Sequence, residues 1–274
     1  MVCHQGGEGV ACRWPGEALR LDSASGDCGG YTFRYLLLQN VVAYGHFCCA
    51  ELDYAVGTSR DFVGAYMPRP LIQRFCQQRE IPHVVHFTRL VNLPSILEHG
   101  LYPVSEQQRL RTAPVVNDVR RLDGHLDGTS VSISFPNYLM FYRYRQETKE
   151  EWVVLRIDPS VLWDKECGFC RYNAADGRIS VQPLEQLRTL ASLQSLFCED
   201  EGENLRVDRR LRIYDPTDPQ AEVLVFNRIE PHLITGVSFQ TQSARERHAA
   251  TCGDRTLRTD GPSSGYFASR NFVR

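Results

Sequence analysis

The stretch VVHFTRLVNLPSILEHGL, residues 84–101, changes its hydrophobic period partway along, and that change constrains the fold more than any other feature of the chain. Val84 to Arg89 reads as a strand, in which successive side chains point to opposite faces, so His86 and Thr88 share one face and Val85 and Phe87 the other. Two hydrogen-bonding side chains therefore point together. Asn92 then suits an N-cap, Pro94 falls in the first turn where its missing donor costs little, and Gly100 closes a short helix whose Ile96 and Leu97 face inward.

The same switching recurs downstream. PLIQRFCQQRE has apolar residues at helical spacing. TSVSISF (residues 129–135) alternates as a half-buried strand and is ended by Pro136 and Asn137 before a helix, YLMFYRYRQE. EWVVLRID, AEVLVF (221–226) and ITGVSF (234–239) are further strands, with a helical turn in PSVLW. Short strands interspersed with short helices, without regular βαβ spacing, predict an α+β protein rather than a doubly wound sheet. Residues 180–219 begin with a helical leucine pattern and end in a charged, proline-punctuated loop, a length of connection that is usually functional or disordered. The expected organisation is an N-terminal extension over residues 1–66, a domain over 67–240 and a polar C-terminal tail over 241–274, with Tyr266, Phe267 and Phe272 able to dock its end. Cys3, Cys12, Cys28, Cys48 and Cys49 all fall in the extension. It is either a poorly packed segment upstream of a functional start at Met67 or a small cap on the domain.

Composition limits the partners. With 274 residues, 42% hydrophobic, the chain can bury a full core, and a net charge of −2 leaves nucleic-acid contact to local arginine clusters. The most apolar run, Tyr35 to Ala50, is interrupted by Gln39, Asn40 and His46 and is too short to span a membrane. The N-terminus lacks the basic-then-apolar pattern of an export signal, so a cytoplasmic location is expected and the cysteines are expected to be thiols. In CGFC (167–170) the spacing of two thiols permits zinc or disulfide exchange, but no second pair completes a metal site and no thioredoxin-like setting surrounds it. No metal is expected.

Four separated segments, HFTRLVNLPSILEHGL, VRRLDGHLDGTSVSISFPNYLMFY, CGFCRYNAA and DPQAEVLVF, occur in an order that resembles the DarT family of NAD-dependent ADP-ribosyltransferases, toxins that modify DNA bases. The resemblance spans residues 83–239. It implies an ADP-ribosyltransferase fold, a split antiparallel β core with surrounding helices and NAD, as substrate, in the cleft. It also implies transfer of ADP-ribose to a base of single-stranded DNA with release of nicotinamide, and a macrodomain antitoxin as partner.

The residues suit that chemistry. Cleaving the nicotinamide–ribose bond passes through an oxocarbenium-like state that a carboxylate can stabilise. Glu222 opens an apolar strand where an acid has no packing role, and the resemblance makes it the catalytic residue that holds a ribose hydroxyl and activates the acceptor. In VRRLDG a guanidinium suits bidentate recognition of the pyrophosphate or of the acceptor, which makes Arg121 the second catalytic candidate, with its neighbour Arg120 as the alternative and Asp123 able to orient it beside the cofactor. His86 and Thr88 would hydrogen-bond the cofactor. Asn92 would contact it or cap its helix, Gly100 lies beside it, and Ser134 and Tyr138 would line the nicotinamide pocket. Arg143, Arg209, Arg210 and Arg212 are the candidate DNA contacts, with Tyr142 and Tyr144 able to stack on unpaired bases. In more familiar DarT sequences an arginine-serine-proline run replaces FPNYLMFYRY, which leaves the modified base open. An enzyme acting on RNA or protein, and a silent NAD- or nucleic-acid-binding module, are the alternative readings.

Overall fold

The computed structural model describes residues 24–28, 31–35, 69–110, 114–116, 122–200 and 202–274. The backbone forms two compact units, residues 1–60 and 61–274. In the first, β1 (Ala24–Cys28) and β2 (Tyr31–Tyr35) form an antiparallel pair with Cys28 opposite Tyr31. The other expectations for residues 1–66, including a start at Met67, lie outside the described residues.

The second unit is α+β, built on seven strands: β3 (Val84–Arg89), β4 (Gly128–Ile133), β5 (Trp152–Ile157), β6 (Cys167–Cys170), β7 (Glu222–Phe226), β8 (Ile234–Phe239) and β9 (Thr256–Thr259). Their order in the sheet is β6-β7-β4-β3-β5-β8-β9. Every neighbouring pair is antiparallel except β8 and β9, which run parallel. The sheet is split near its middle. β3 pairs with β5 along six residues but with β4 along only two, Val84 with Ile133 and Val85 with Ser132. Beyond that point the halves β6-β7-β4 and β3-β5-β8-β9 part.

Both faces of the sheet are covered. One carries Val84, Val131, Ile133, Val153, Leu155, Val223 and Val225 against Ile72 and Cys76 of the helix Arg69–Gln78 and Leu93, Ile96 and Leu97 of the helix Leu93–His99. On the other, Val85, Trp152 and Val154 meet Phe141 of the helix Tyr138–Glu147 and Tyr266 and Phe267 from the C-terminal segment. Double coverage explains why β4 is buried at five of its six positions, Ser132 included, rather than on alternate residues as the sequence pattern implied. CGFC is a strand, β6, whose Cys167 and Cys170 are buried free thiols; burial pushes both upward, Cys170 to about 12, so neither is poised as a thiolate.

Two expectations need correction. The leucine pattern after residue 180 is not one helix but two short ones, Leu184–Leu187 and Leu190–Ser195, because Pro183 holds off any earlier start and Thr189 begins the second by accepting a hydrogen bond from the Ser192 N–H. Residues 241–274 are not a tail. They supply the helix Gln242–Cys252, capped by Thr241, then β9 on the sheet edge and a docked end in which Tyr266 and Phe267 are buried while Phe272 is exposed. The polar composition misled because the helix has little apolar face and β9 is an exposed edge strand.

Candidate active site

Where β3 and β4 part, a cavity is lined by His86, Thr88, Asn92, Gly100, Asp123, Ser130, Asn137, Tyr144, Asn173 and Glu222. The two-residue period of β3 turns His86 and Thr88 to one face. His86 Nδ1 lies 2.9 Å from the carbonyl of Ser130 on β4 and so reaches across the gap between the strands. A carbonyl can only accept, so the proton sits on Nδ1, and in the neutral ring Nε2 is left as an acceptor.

Asn92 is buried but does not cap its helix; no helix-starting N–H reaches its side chain. Its amide instead pairs with a peptide group 23 residues on. Nδ2 donates to the Val115 carbonyl at 2.9 Å and to Thr88 Oγ1 at 3.0 Å, and Oδ1 accepts from the Val115 N–H at 2.9 Å. Asn92 thereby holds Pro114–Val116 against the cavity, whose wall those residues form. Gly100 ends the helix at φ 90° and packs directly on the Ile229 backbone, leaving no room for a Cβ. Hydrogen bonds in both directions between Leu101 and Ile229 fix that contact.

Glu222, the first residue of β7, turns its carboxylate into the cavity and is 6% exposed. Its Oε1 accepts from Asn173 Nδ2 at 2.7 Å and its Oε2 from the Ala174 N–H at 3.3 Å. Burial pushes the carboxyl up to about 7; the Ala174 N–H and the neighbouring Asn137 and Ser130 side chains oppose that rise, and the charge of Asp123 adds to it. A carboxylate of this basicity sits where a general base works best near neutral pH. Among the described residues the cavity lining contains no lysine or arginine, and no group of His, Cys, Asp or Glu is placed to hold a metal ion.

The sequence-derived site residues are therefore sorted by the fold. His86, Thr88, Asn92, Gly100, Asp123 and Glu222 converge on one cavity. Arg120 and Arg121 lie outside the described residues. Ser134 and Tyr138 do not line the cavity. Ser134, just past the end of β4, adopts a left-handed φ of 60° and donates its hydroxyl to buried Asp215 at 2.6 Å, while Tyr138 packs beside Val85, Phe135 and Phe141. Arg143 is exposed on its helix, 3.6 Å from Glu147. Arg209 and Arg210 line a separate polar cleft with Asp208, Asn271 and Arg274, and Arg212, exposed, gives its backbone N–H to Asp215.

Residues to which sequence reasoning gave no structural role, or in the case of Arg206 a place in a charged patch, build the loop leading to Glu222. Asp215 accepts from Arg274 at 2.7 and 2.9 Å as well as from Ser134 and Arg212. Arg206 donates to the carbonyls of Asp215 and Arg212 and to Thr217 Oγ1, and buried Arg270 donates to the carbonyls of Pro216 and Thr217. Asn173 and Asn137 also line the cavity; CGFCRYNAA contained the first without a role, and the second was read only as the end of a strand.

Fold and cavity define a class: a split sheet with a buried, basic carboxylate facing a cleft lined by hydrogen-bonding side chains is the arrangement of an ADP-ribosyltransferase. The chain belongs to the DarT family, whose model, "DarT: ssDNA thymidine ADP-ribosyltransferase, DarT", matches residues 85–259, nearly two thirds of the sequence. That description makes the family one of ADP-ribosyltransferases whose acceptor is thymidine in single-stranded DNA. The match runs to residue 259, past the boundary at 240, which agrees with the packed helix and β9. Among solved structures, Thermosipho africanus DarTG in complex with ADP-ribose is similar at 15% identity and a TM-score of 0.46, over 68% of this chain and 50% of that one. The chain thus spans half the length of the Thermosipho protein. Thermus sp. 2.9 DarT in complex with carba-NAD+ is similar at 14% identity, TM-score 0.45, over 71% of this chain and 99% of that one. The same protein in complex with ADP-ribosylated ssDNA gives 13% identity, TM-score 0.44, over 71% and 97%. No curated protein matches the chain.

Proposed function

We propose that the cavity between β3 and β4 holds NAD and that Glu222 is the base which activates a thymine of single-stranded DNA. The observation that carries this reading is the buried carboxylate of Glu222, raised to about 7, sharing one cavity with His86 and Thr88. Within a DNA strand the thymine ring keeps one N–H, at N3. In duplex DNA that N–H is engaged in base pairing, so an unpaired strand presents it without the cost of extruding the base. As the bond between nicotinamide and the ribose C1′ breaks, Glu222 takes the N3 proton, N3 bonds to C1′, and nicotinamide leaves with the bonding electron pair. The same carboxylate, close to a ribose hydroxyl, stabilises positive charge developing on the sugar.

His86 and Thr88 hold the cofactor, and Gly100 and Asn92 shape the wall beside it. Arg121, or its neighbour Arg120, supplies the cation for the pyrophosphate. Support for that assignment comes from the chain on either side: Val116 and Asp123, which flank residues 117–122, both line the cavity. Arg209, Arg210 and Arg143 are exposed enough to meet a DNA backbone, whereas Arg206 and Arg270 are spent on carbonyls of the loop. The protein acts in the cytoplasm as the toxin of a toxin–antitoxin pair whose antitoxin is a macrodomain protein. The test is incubation of the purified chain with labelled NAD and, separately, single-stranded DNA, duplex DNA, RNA and protein, with mass-spectrometric mapping of the product. Label on thymine of single-stranded DNA, lost in Glu222→Gln, is expected; label confined to RNA or protein, or retained in Glu222→Gln, would overturn the reading.

A further inference from the structure

We infer that Asn173 is the positioning residue for Glu222, fixing one carboxylate oxygen and sustaining its ionised form; the inference rests on Glu222 being the base. β6 ends at Cys170, directly opposite Glu222 in the sheet, so the segment Arg171–Ala175 necessarily passes over the carboxylate. Asn173 donates Nδ2 to Glu222 Oε1 at 2.7 Å while its Oδ1 accepts from the Ala175 N–H at 3.0 Å. The second contact orients the amide: a backbone N–H needs an acceptor, so the donor end of Asn173 is the one that faces Glu222.

The segment is anchored on both sides of Asn173. Arg171 donates to the Cys198 carbonyl and to Asp200, the guanidinium of Arg178 lies 3.5 Å from the centre of the Tyr172 ring, and Ala174 is buried in the cluster of Cys170, Ile179 and Leu224. Asn173 therefore meets the carboxylate at a fixed place, and its amide chemistry suits the task. A cation here would hold the carboxyl low and remove its basicity. A neutral donor orients the oxygen and opposes the burial penalty while leaving a base of useful strength.

Among the described residues few titratable groups face Glu222. Asp123 adds negative charge from the segment before β4, His86 faces the cavity from β3 and Tyr144 from the helix Tyr138–Glu147. The Cys170 thiol stays neutral, pushed up to about 12 mainly by burial. Against Asp123 and burial, the Asn173 amide and the Ala174 N–H donate to the two carboxylate oxygens, with the Asn137 and Ser130 side chains beside them.

The test uses the full chain carrying Asn173→Ala, Asn173→Asp or no change. The pH dependence of kcat with NAD and single-stranded DNA is measured beside a carbon-13 titration of the Glu222 carboxyl, assigned by its loss in Glu222→Gln. Removing one hydrogen bond to a charged group is expected to move the Asn173→Ala titration and the acidic limb of kcat upward by about one pH unit, roughly a tenfold loss well below the limb, with KM for NAD unchanged. Asn173→Asp sets a second carboxylate against the first and moves both further. A uniform loss of kcat at every pH, with Glu222 titrating as in the unaltered protein, would show a merely structural role and overturn the inference. The titration needs no substrate, so a chain that leaves DNA unmodified would sink the proposed reaction while the carboxyl still decides the role of Asn173. If Asn173→Asp does not fold, Asn173→Ala decides alone.

Discussion

Glu222→Gln is expected to stabilise the protein at alkaline pH relative to acid, in the opposite sense to its effect on activity. The folded carboxyl titrates near 7, against 4.5 for a free glutamate. A raised carboxyl favours folding only while protonated, so its penalty begins as pH climbs through the unfolded value and is complete above the folded one. The difference of about 2.5 pH units corresponds to about 3 kcal/mol of lost stability at pH 8 and less than about 1 kcal/mol at pH 5. Glutamine removes the charge but turns an NH2 group toward a donor, either the Asn173 amide or the Ala174 N–H, at a pH-independent cost of about 1–2 kcal/mol. The variant is therefore expected to be slightly less stable than the unaltered chain at pH 5 and more stable at pH 8. The crossing spans about 2–3 kcal/mol, or some 5–10 °C in melting temperature for a unit of this size. Urea titrations of both proteins at the two pH values, followed by tryptophan fluorescence, measure it. A stability difference that stays constant between pH 5 and pH 8 would refute the account of Glu222 as a buried, raised carboxyl.

Three further outcomes are expected. Asp215→Ala leaves the Arg274 guanidinium and the buried Ser134 hydroxyl without their acceptor and should cost about 3–5 kcal/mol in denaturant titrations. Although burial alone would raise Asp215, hydrogen bonds from Arg274 and Ser134 hold it low, so its contribution is present above about pH 4 and the gap between the two proteins should close as pH falls through the folded value. Asn92→Asp cannot donate to the Val115 carbonyl and should raise KM for NAD about 10- to 100-fold with a smaller change in kcat, read from initial rates. Arg209→Ala with Arg210→Ala should weaken single-stranded DNA binding and lower the slope of log affinity against log salt by about 0.7 for each phosphate that the variant leaves unneutralised, measured by fluorescence anisotropy.

The strands were legible because runs such as WVVLRI and EVLVF combine β-branched residues with short length, and the helix closing on Gly100 because a glycine there answers a local backbone need. What escaped the sequence was set by partners far along the chain. Asn92 satisfies the local pattern of an N-cap, yet Val115 claims its amide. Ser134, beside the apolar segment FPNYLMFY, looked like a pocket residue until Asp215, 81 residues away, took its hydroxyl. Arg206 and Arg270 have the composition of a DNA-binding surface but are committed to backbone carbonyls. Glu222 was legible for a reason of its own: an acid at the head of a buried apolar strand has no packing role, and its position invites a chemical one. The polar segment after residue 240 hid its helix and edge strand because neither needs an apolar pattern to pack against β8.

Among the described residues no strand pairs with β3 on the β4 side beyond Val85, although β3 itself continues to Arg89. The opening is therefore set by where the pairing of β4 stops and not by the bulk of any one side chain. Substitutions along β3 that keep the register leave the gap where it is, whereas an insertion or deletion that shifts the register would move or close it.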